Sequence, residues 1–126
     1  MGVYVFASLT QPWFKVGHHR VTERRPNVYF RVAGRGFHSC RHPPQLTRLG
    51  MDDLELVAWY PDLTSRQERA LHRANAAQGV GEWYPNAERA RLLAALDALG
   101  RRAEVGAADR ERARAWAGGR GRRALK

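Results

Sequence analysis

A phenol, an amine, an imidazole, a guanidinium and a carboxylate follow one another along this chain, at Tyr4, Lys15, His18, Arg25 and Glu68. That set matches what hydrolysis of a phosphodiester requires: an activated water, a cation at the developing phosphorane and a stabilised leaving oxygen. Magnesium takes one or two carboxylates and keeps several waters, so Glu68 suffices to seat one Mg2+ or Mn2+ ion. Arg25 would neutralise the non-bridging oxygens. Tyr4 and Lys15 would face the attacking water from adjacent strands, one orienting it and the other taking or relaying its proton. A lysine acts as base only when its pKa is lowered, and a metal ion and Arg25 nearby push that way. His18 competes with Tyr4 for the role of general base, because an unperturbed imidazole titrates near about pH 6.5.

The elements that must carry these groups read as follows. Val3 to Phe6 and Trp13, Phe14 and Val16 are strand formers, and Ser8 to Pro12 is a turn, so the first 18 residues read as a hairpin. Asn27 to Val32 reads as extended. Gly34, Gly36, Pro43 and Pro44 mark a loop from Gly34 to Gly50, long enough to suggest a function. Leu54 to Tyr60 is a further strand, stopped by Pro61. Residues 65–77 read as a helix with Ala70, Leu71, Ala74 and Ala77 on one face. Residues 87–99 read as a second helix with Leu92, Leu93, Leu96 and Leu99 on one face, ended by Gly100. The expected fold is α+β, a small three-stranded, mainly antiparallel sheet flanked by helices.

At 126 residues the chain is sized for one domain, expected over residues 1–100. Residues 101–126 carry nine basic and three acidic side chains, a net of +6 against +4 for the rest, and read as a basic, partly disordered tail with a short helix over 107–117. The net charge of +10 comes mostly from arginine, whose planar fork suits phosphate, so the expected partner is nucleic acid, DNA before RNA. The longest apolar runs fall short of the roughly 20 residues that span a bilayer, so no membrane partner is expected. No secretory leader is visible, and the single Cys40 suits a reducing cytoplasm, compatible with a nucleoid-associated or phage-encoded protein. So small a footprint reads few base pairs, and tight specificity would call for a homodimer or a partner protein.

Gly2-Val3-Tyr4 at the start of the first strand and Lys15-Val16-Gly17 on the second resemble the two tripeptides of the GIY-YIG nuclease superfamily, in the branch whose second motif is of Lys-Ile-Gly type. The resemblance covers roughly residues 2–90. It implies that Arg25 is the arginine of the following segment and Glu68 the metal-binding glutamate. It also implies that Asn86, in Glu82-Trp83-Tyr84-Pro85-Asn86, is the late asparagine that closes the domain. The activity it implies is a metal-dependent endonuclease using a single ion and leaving a 5′-phosphate. Backbone contacts to the nucleic acid are expected from Arg24, Arg31, Arg35, Arg41 and His42, with Phe37 available to stack on a base.

Each residue also has an ordinary reading. Ser65-Arg66-Gln67-Glu68 is a capping box with Ser65 as N-cap, a role that competes with metal binding for Glu68. His72, four residues on, either pairs with Glu68 or does nothing. Tyr4 and Lys15 are compatible with a surface strand, Asn86 with an ordinary N-cap, and Pro26 disfavours helical backbone at Arg25. His38, Cys40 and His42 alternate as zinc ligands could on an extended strand, with His18 or His19 as the fourth. The alternatives to an endonuclease are therefore a non-catalytic basic module that grips nucleic acid, and a zinc-stabilised interaction protein.

Overall fold

The computed structural model describes residues 2–19, 41–47 and 53–107. The chain order is β1 (Gly2–Ser8), β2 (Trp13–His19), β3 (Leu54–Tyr60), α1 (Ser65–Ala74), β4 (Trp83–Pro85), a single 3-10 turn (Asn86–Glu88) and α2 (Arg89–Leu99). Every strand pairing is antiparallel, and the four strands lie in the order β3-β1-β2-β4. The sheet thus has one strand more than expected. β4 is only three residues long and sits inside the segment read as a closing motif, too short to show a strand alternation. The expected extended piece at 27–32 and the helix expected over 107–117 fall almost wholly outside the described residues, with Ala107 alone inside them.

β1 is central, and all seven of its residues are buried, which explains why it reads as a near-continuous apolar run. Val3, Val5 and Ala7 point to one face, where they pack with Phe14, Val16, Ala58, Tyr60, Leu71, Tyr84, Leu92 and Leu96. Each large side chain so buried is worth about 1.5–3 kcal/mol. Tyr4, Phe6 and Lys15 point to the other face, and they too are buried. Between Val5 and Phe6 the pairing with β3 slips by one residue, a bulge that takes up Val57.

Both helices keep their position; α2 keeps its expected face apart from Leu99, and α1 does not keep its own. On α1 the buried residues are Glu68 and Leu71, with Asn75 behind the last turn, while Ala70, Ala74 and Ala77 are exposed. The helix stops at Ala74, three residues before the expected end, because Asn75 turns back on it: its N–H and its side-chain amide both bond the Leu71 carbonyl. On α2, Leu92 and Leu96 are buried and Leu93 packs against the same cluster, but Leu99 is 48% exposed, just before Gly100 closes the helix on the Leu96 carbonyl. The described part of the segment read as a tail is bound to the fold. Ala103 N–H bonds Trp59 O at 2.8 Å, and the Arg102 guanidinium bridges Asp97 and the Tyr60 hydroxyl. Among the described residues no helix is long and apolar enough to cross a membrane.

Candidate metal centre

Six side chains gather where β4 begins beside β2, in two runs of polar contacts: Tyr4, Lys15 and Glu82, and Glu68, His72 and Tyr84. Tyr4 and Lys15 lie on neighbouring strands and on the same face. The Lys15 ammonium donates to the Tyr4 hydroxyl at 2.8 Å and to Glu82 Oε2 at 2.7 Å. The side chain of Lys15 is only 2% exposed, so this charge has exchanged its water for these partners. Burial works against that charge, but the Tyr4 oxygen and the Glu82 carboxylate outweigh it and raise the Lys15 pKa above its ordinary value. Lys15 is held as a cation, and what it offers Tyr4 is a charged hydrogen bond.

Gly17 makes the Tyr4 position possible. It pairs with Tyr4 across the hairpin, and a β-carbon there would lie 2.3 Å from the Tyr4 hydroxyl oxygen and 2.4 Å from the ring carbon that bears it. At Gly2 a β-carbon would come within 2.6 Å of the Tyr60 carbonyl oxygen. The glycines of both tripeptides are thus required by close approach.

Glu68 reaches the cluster because the N-cap lies one residue earlier than expected, at Thr64 and not Ser65. Thr64 is the N-cap, its hydroxyl accepting from the Gln67 N–H, and the Gln67 side chain accepts from the Thr64 N–H in return. The box is Thr64-x-x-Gln67, and Ser65 and Glu68 play no part in it. Glu68 N–H bonds the Thr64 carbonyl as an ordinary helical donor, and the carboxylate is left free of capping. It pairs instead with His72 Nε2 at 2.8 Å, one helical turn on. Burial pushes the Glu68 pKa up. The hydrogen bond and charge of His72, a hydrogen bond with Glu82 and the charge of Lys15 outweigh it and hold the carboxyl below its usual value.

Glu82 was not among the expected site residues. It is the second central residue of a two-residue hairpin loop, in which Val80 and Trp83 exchange both backbone bonds at 2.9 and 3.0 Å. Gly81 takes the positive φ of +61° that the first central position of a type II′ turn demands. The Arg41 backbone also packs against Gly81, leaving no room for a side chain. The Gly81-Glu82 pair before the strand formers Trp83 and Tyr84 was the available signal, a Gly-X hairpin turn.

Val16 joins the two carboxylate carriers. Its N–H bonds the Glu82 carbonyl at 3.0 Å and its carbonyl meets His72 Nε2 at 3.1 Å. His72 Nδ1 lies 2.6 Å from the Tyr84 hydroxyl. Burial, then the charges of Glu68 and Glu82, push the Tyr84 hydroxyl up to about 12, so it remains protonated.

Glu68, His72 and Glu82 each offer a ligand atom, all within 4.8 Å of one another, and could hold a metal ion. The two carboxylates suit a hard cation such as Mg2+. Their oxygens lie close enough for one cation to reach both.

The remaining expected residues are placed differently. His18 pairs across the hairpin with Val3 and so faces the apolar cluster side of the sheet, opposite to Tyr4 and Lys15. Asn86 is exposed, its N–H bonded to the Pro12 carbonyl at the hairpin turn, and it heads the 3-10 turn without capping α2, whose N-cap is Glu88. Arg41 and His42 are exposed, Arg41 beside the turn that carries Glu82. Arg24, Arg25, Arg31, Arg35, Phe37, His38 and Cys40 lie outside the described residues. Comparison with protein-family models, curated proteins and solved structures finds no match to this chain.

Proposed function

We propose that the chain is a metal-dependent endonuclease that hydrolyses phosphodiester bonds in nucleic acid, DNA before RNA. The observation that carries this reading is the meeting of a tyrosine and an ammonium from two paired strands with two carboxylates. The Tyr4–Lys15 pair is bonded at 2.8 Å, and Lys15 is bonded to Glu82 at 2.7 Å. The order of the motifs and the antiparallel sheet that carries them are what a GIY-YIG-like domain would use. Net charge of +10 supplies the attraction for a polyanion.

Glu68 and Glu82 would hold the ion, which supplies Lewis acidity toward the phosphate and lowers the pKa of water. Tyr4 takes the proton of the attacking water or relays it. For this Tyr4 would be a phenolate, whose negative charge the Lys15 ammonium stabilises until the proton of the attacking water converts it to the neutral phenol. Because Lys15 is buried and bonded on both sides, this donor is preorganised and needs no reorientation during the reaction. Arg25 is assigned the non-bridging oxygens on the strength of its place after the second tripeptide.

Plasmid nicking in Mg2+ or Mn2+ tests the reading. Cutting is expected with either ion and is abolished by EDTA and by Glu68→Ala, a loss of at least about 100-fold. DNA that is retarded in a gel yet stays uncut under all these conditions establishes the binding module instead.

A further inference from the structure

His72 is the one member of the cluster whose two polar atoms are both committed. Nε2 lies 3.1 Å from the Val16 carbonyl oxygen and 2.8 Å from Glu68 Oε1. A carbonyl has no proton to give, so Nε2 must carry one and share it between the two oxygens. On the other side of the ring, Nδ1 meets the Tyr84 hydroxyl at 2.6 Å. A hydroxyl can donate to a bare Nδ1 or accept from Nδ1–H, so this nitrogen is engaged in either case. The backbone of β2 therefore fixes a proton on Nε2, and the phenol of β4 occupies Nδ1. Neither nitrogen then has a free lone pair to offer an ion.

We infer that His72 is a positioning residue and not a metal ligand. Its Nε2–H clamps Glu68 Oε1 and leaves the ion to the oxygens of Glu68 and Glu82. The clamp acts through a chain of fixed parts. Val16 sits in the hairpin between the Lys15 and Gly17 positions, Tyr84 is 1% exposed in the apolar cluster, and the two hold the imidazole from opposite sides. A donor behind a ligating carboxylate sets its orientation and basicity, and its loss typically costs about 10–100-fold in metal affinity. This inference rests on the proposed metal-dependent chemistry and adds a role to a residue that geometry alone would group with the ligands.

The test is imidazole 15N NMR on the full chain through a Mg2+ titration, with no nucleic acid present. The expected result is a His72 that keeps its proton on Nε2 before and after Mg2+ saturates. His72→Leu should weaken Mg2+ binding by about 10–100-fold, whereas His72→Gln, which keeps an N–H near Nε2, should recover most of the affinity. Loss of the Nε2 proton on loading, or Gln no better than Leu, overturns the positioning role and makes His72 a ligand or a bystander. Should His72→Leu fail to fold, the wild-type spectra decide alone. A wild type that takes up no Mg2+ overturns both this inference and the metal-dependent reading. Mg2+ uptake with a deprotonated Nε2 overturns the inference only.

Discussion

Gly17 ties a recognisable tripeptide to a physical need. A β-carbon would fall inside the Tyr4 phenol, so Gly17→Ala must push the ring off the Lys15 ammonium. Overpacking of this kind costs about 1–3 kcal/mol, readable in urea unfolding. The larger effect is expected on cutting, because the donor that steadies the Tyr4 oxygen is lost with the ring position. A Gly17→Ala protein that unfolds at lower urea yet cuts at the wild-type rate would separate Tyr4 from the chemistry. At this scale the sequence was legible where residues lie on one hairpin. Tyr4, Lys15 and Gly17 sit on paired strands, and period-two alternation sets the faces. The same alternation places His18 with Val3, on the other face from Lys15, which argues for Tyr4 over His18 as the base. Glu82 was not legible, because its partner Lys15 is 67 residues away and nothing local requires that pairing.

Two overlapping capping boxes begin at Thr64 and Ser65, and which one forms decides where the carboxylate of Glu68 points. Local sequence cannot choose, since both have a hydroxyl followed three residues later by Gln or Glu. Tertiary structure chooses, because His72 and Lys15 reward the frame that turns Glu68 inward. Thr64→Ala should therefore cost about 1 kcal/mol in thermal or urea unfolding, and Ser65→Ala no more than about 0.5. Equal losses would mean that the box shifts between frames and that Glu68 spends time as a cap. The apolar face of α1 was misread for a related reason, while that of α2 was legible at Leu92, Leu93 and Leu96. Alanine at 70, 74 and 77 matches a helical stripe, but the buried stripe runs Glu68, Leu71, Asn75, and polar residues at site and cap positions break a hydrophobicity pattern. At the far end of α2, Asp97 is held below its usual carboxyl value, first by the Arg102 hydrogen bond and then by that of Tyr60. A depressed carboxyl stabilises the fold above its unfolded value, near 3.8, and the contribution fades as pH falls through the lower folded value. The stability gap between wild type and Asp97→Asn should be present at pH 6 and close below about pH 4. It should also shrink in high salt, since both partners are about 40% exposed. A gap unchanged at pH 3 would mean that packing, and not charge, joins Arg102 to the fold.

Charge is distributed unevenly over the whole molecule, and under the proposed function that unevenness would separate gripping from cutting. The described fold holds the carboxylates, the tyrosine and the lysine of the centre, while the excess of basic groups is concentrated after residue 100, at +6 against +4 before it. That division in charge is a matter of composition alone. The four basic groups Arg120, Arg122, Arg123 and Lys126 all fall within the last nine residues. If they meet phosphates, each releases counterions and adds about 0.9 to the slope of log affinity against log salt. Deleting residues 118–126 should then flatten that slope by up to about 3.6 on duplex DNA and weaken binding most at low salt. Cutting should persist once the DNA concentration is raised to compensate, because Tyr4, Lys15, Glu68 and Glu82 remain in place. A truncated chain that folds, takes up Mg2+ and still cuts nothing at saturating DNA would place part of the chemistry in that segment. An unchanged salt slope would mean that the phosphates are met elsewhere, for which Arg41, exposed beside the Glu82 turn, is the next residue to substitute.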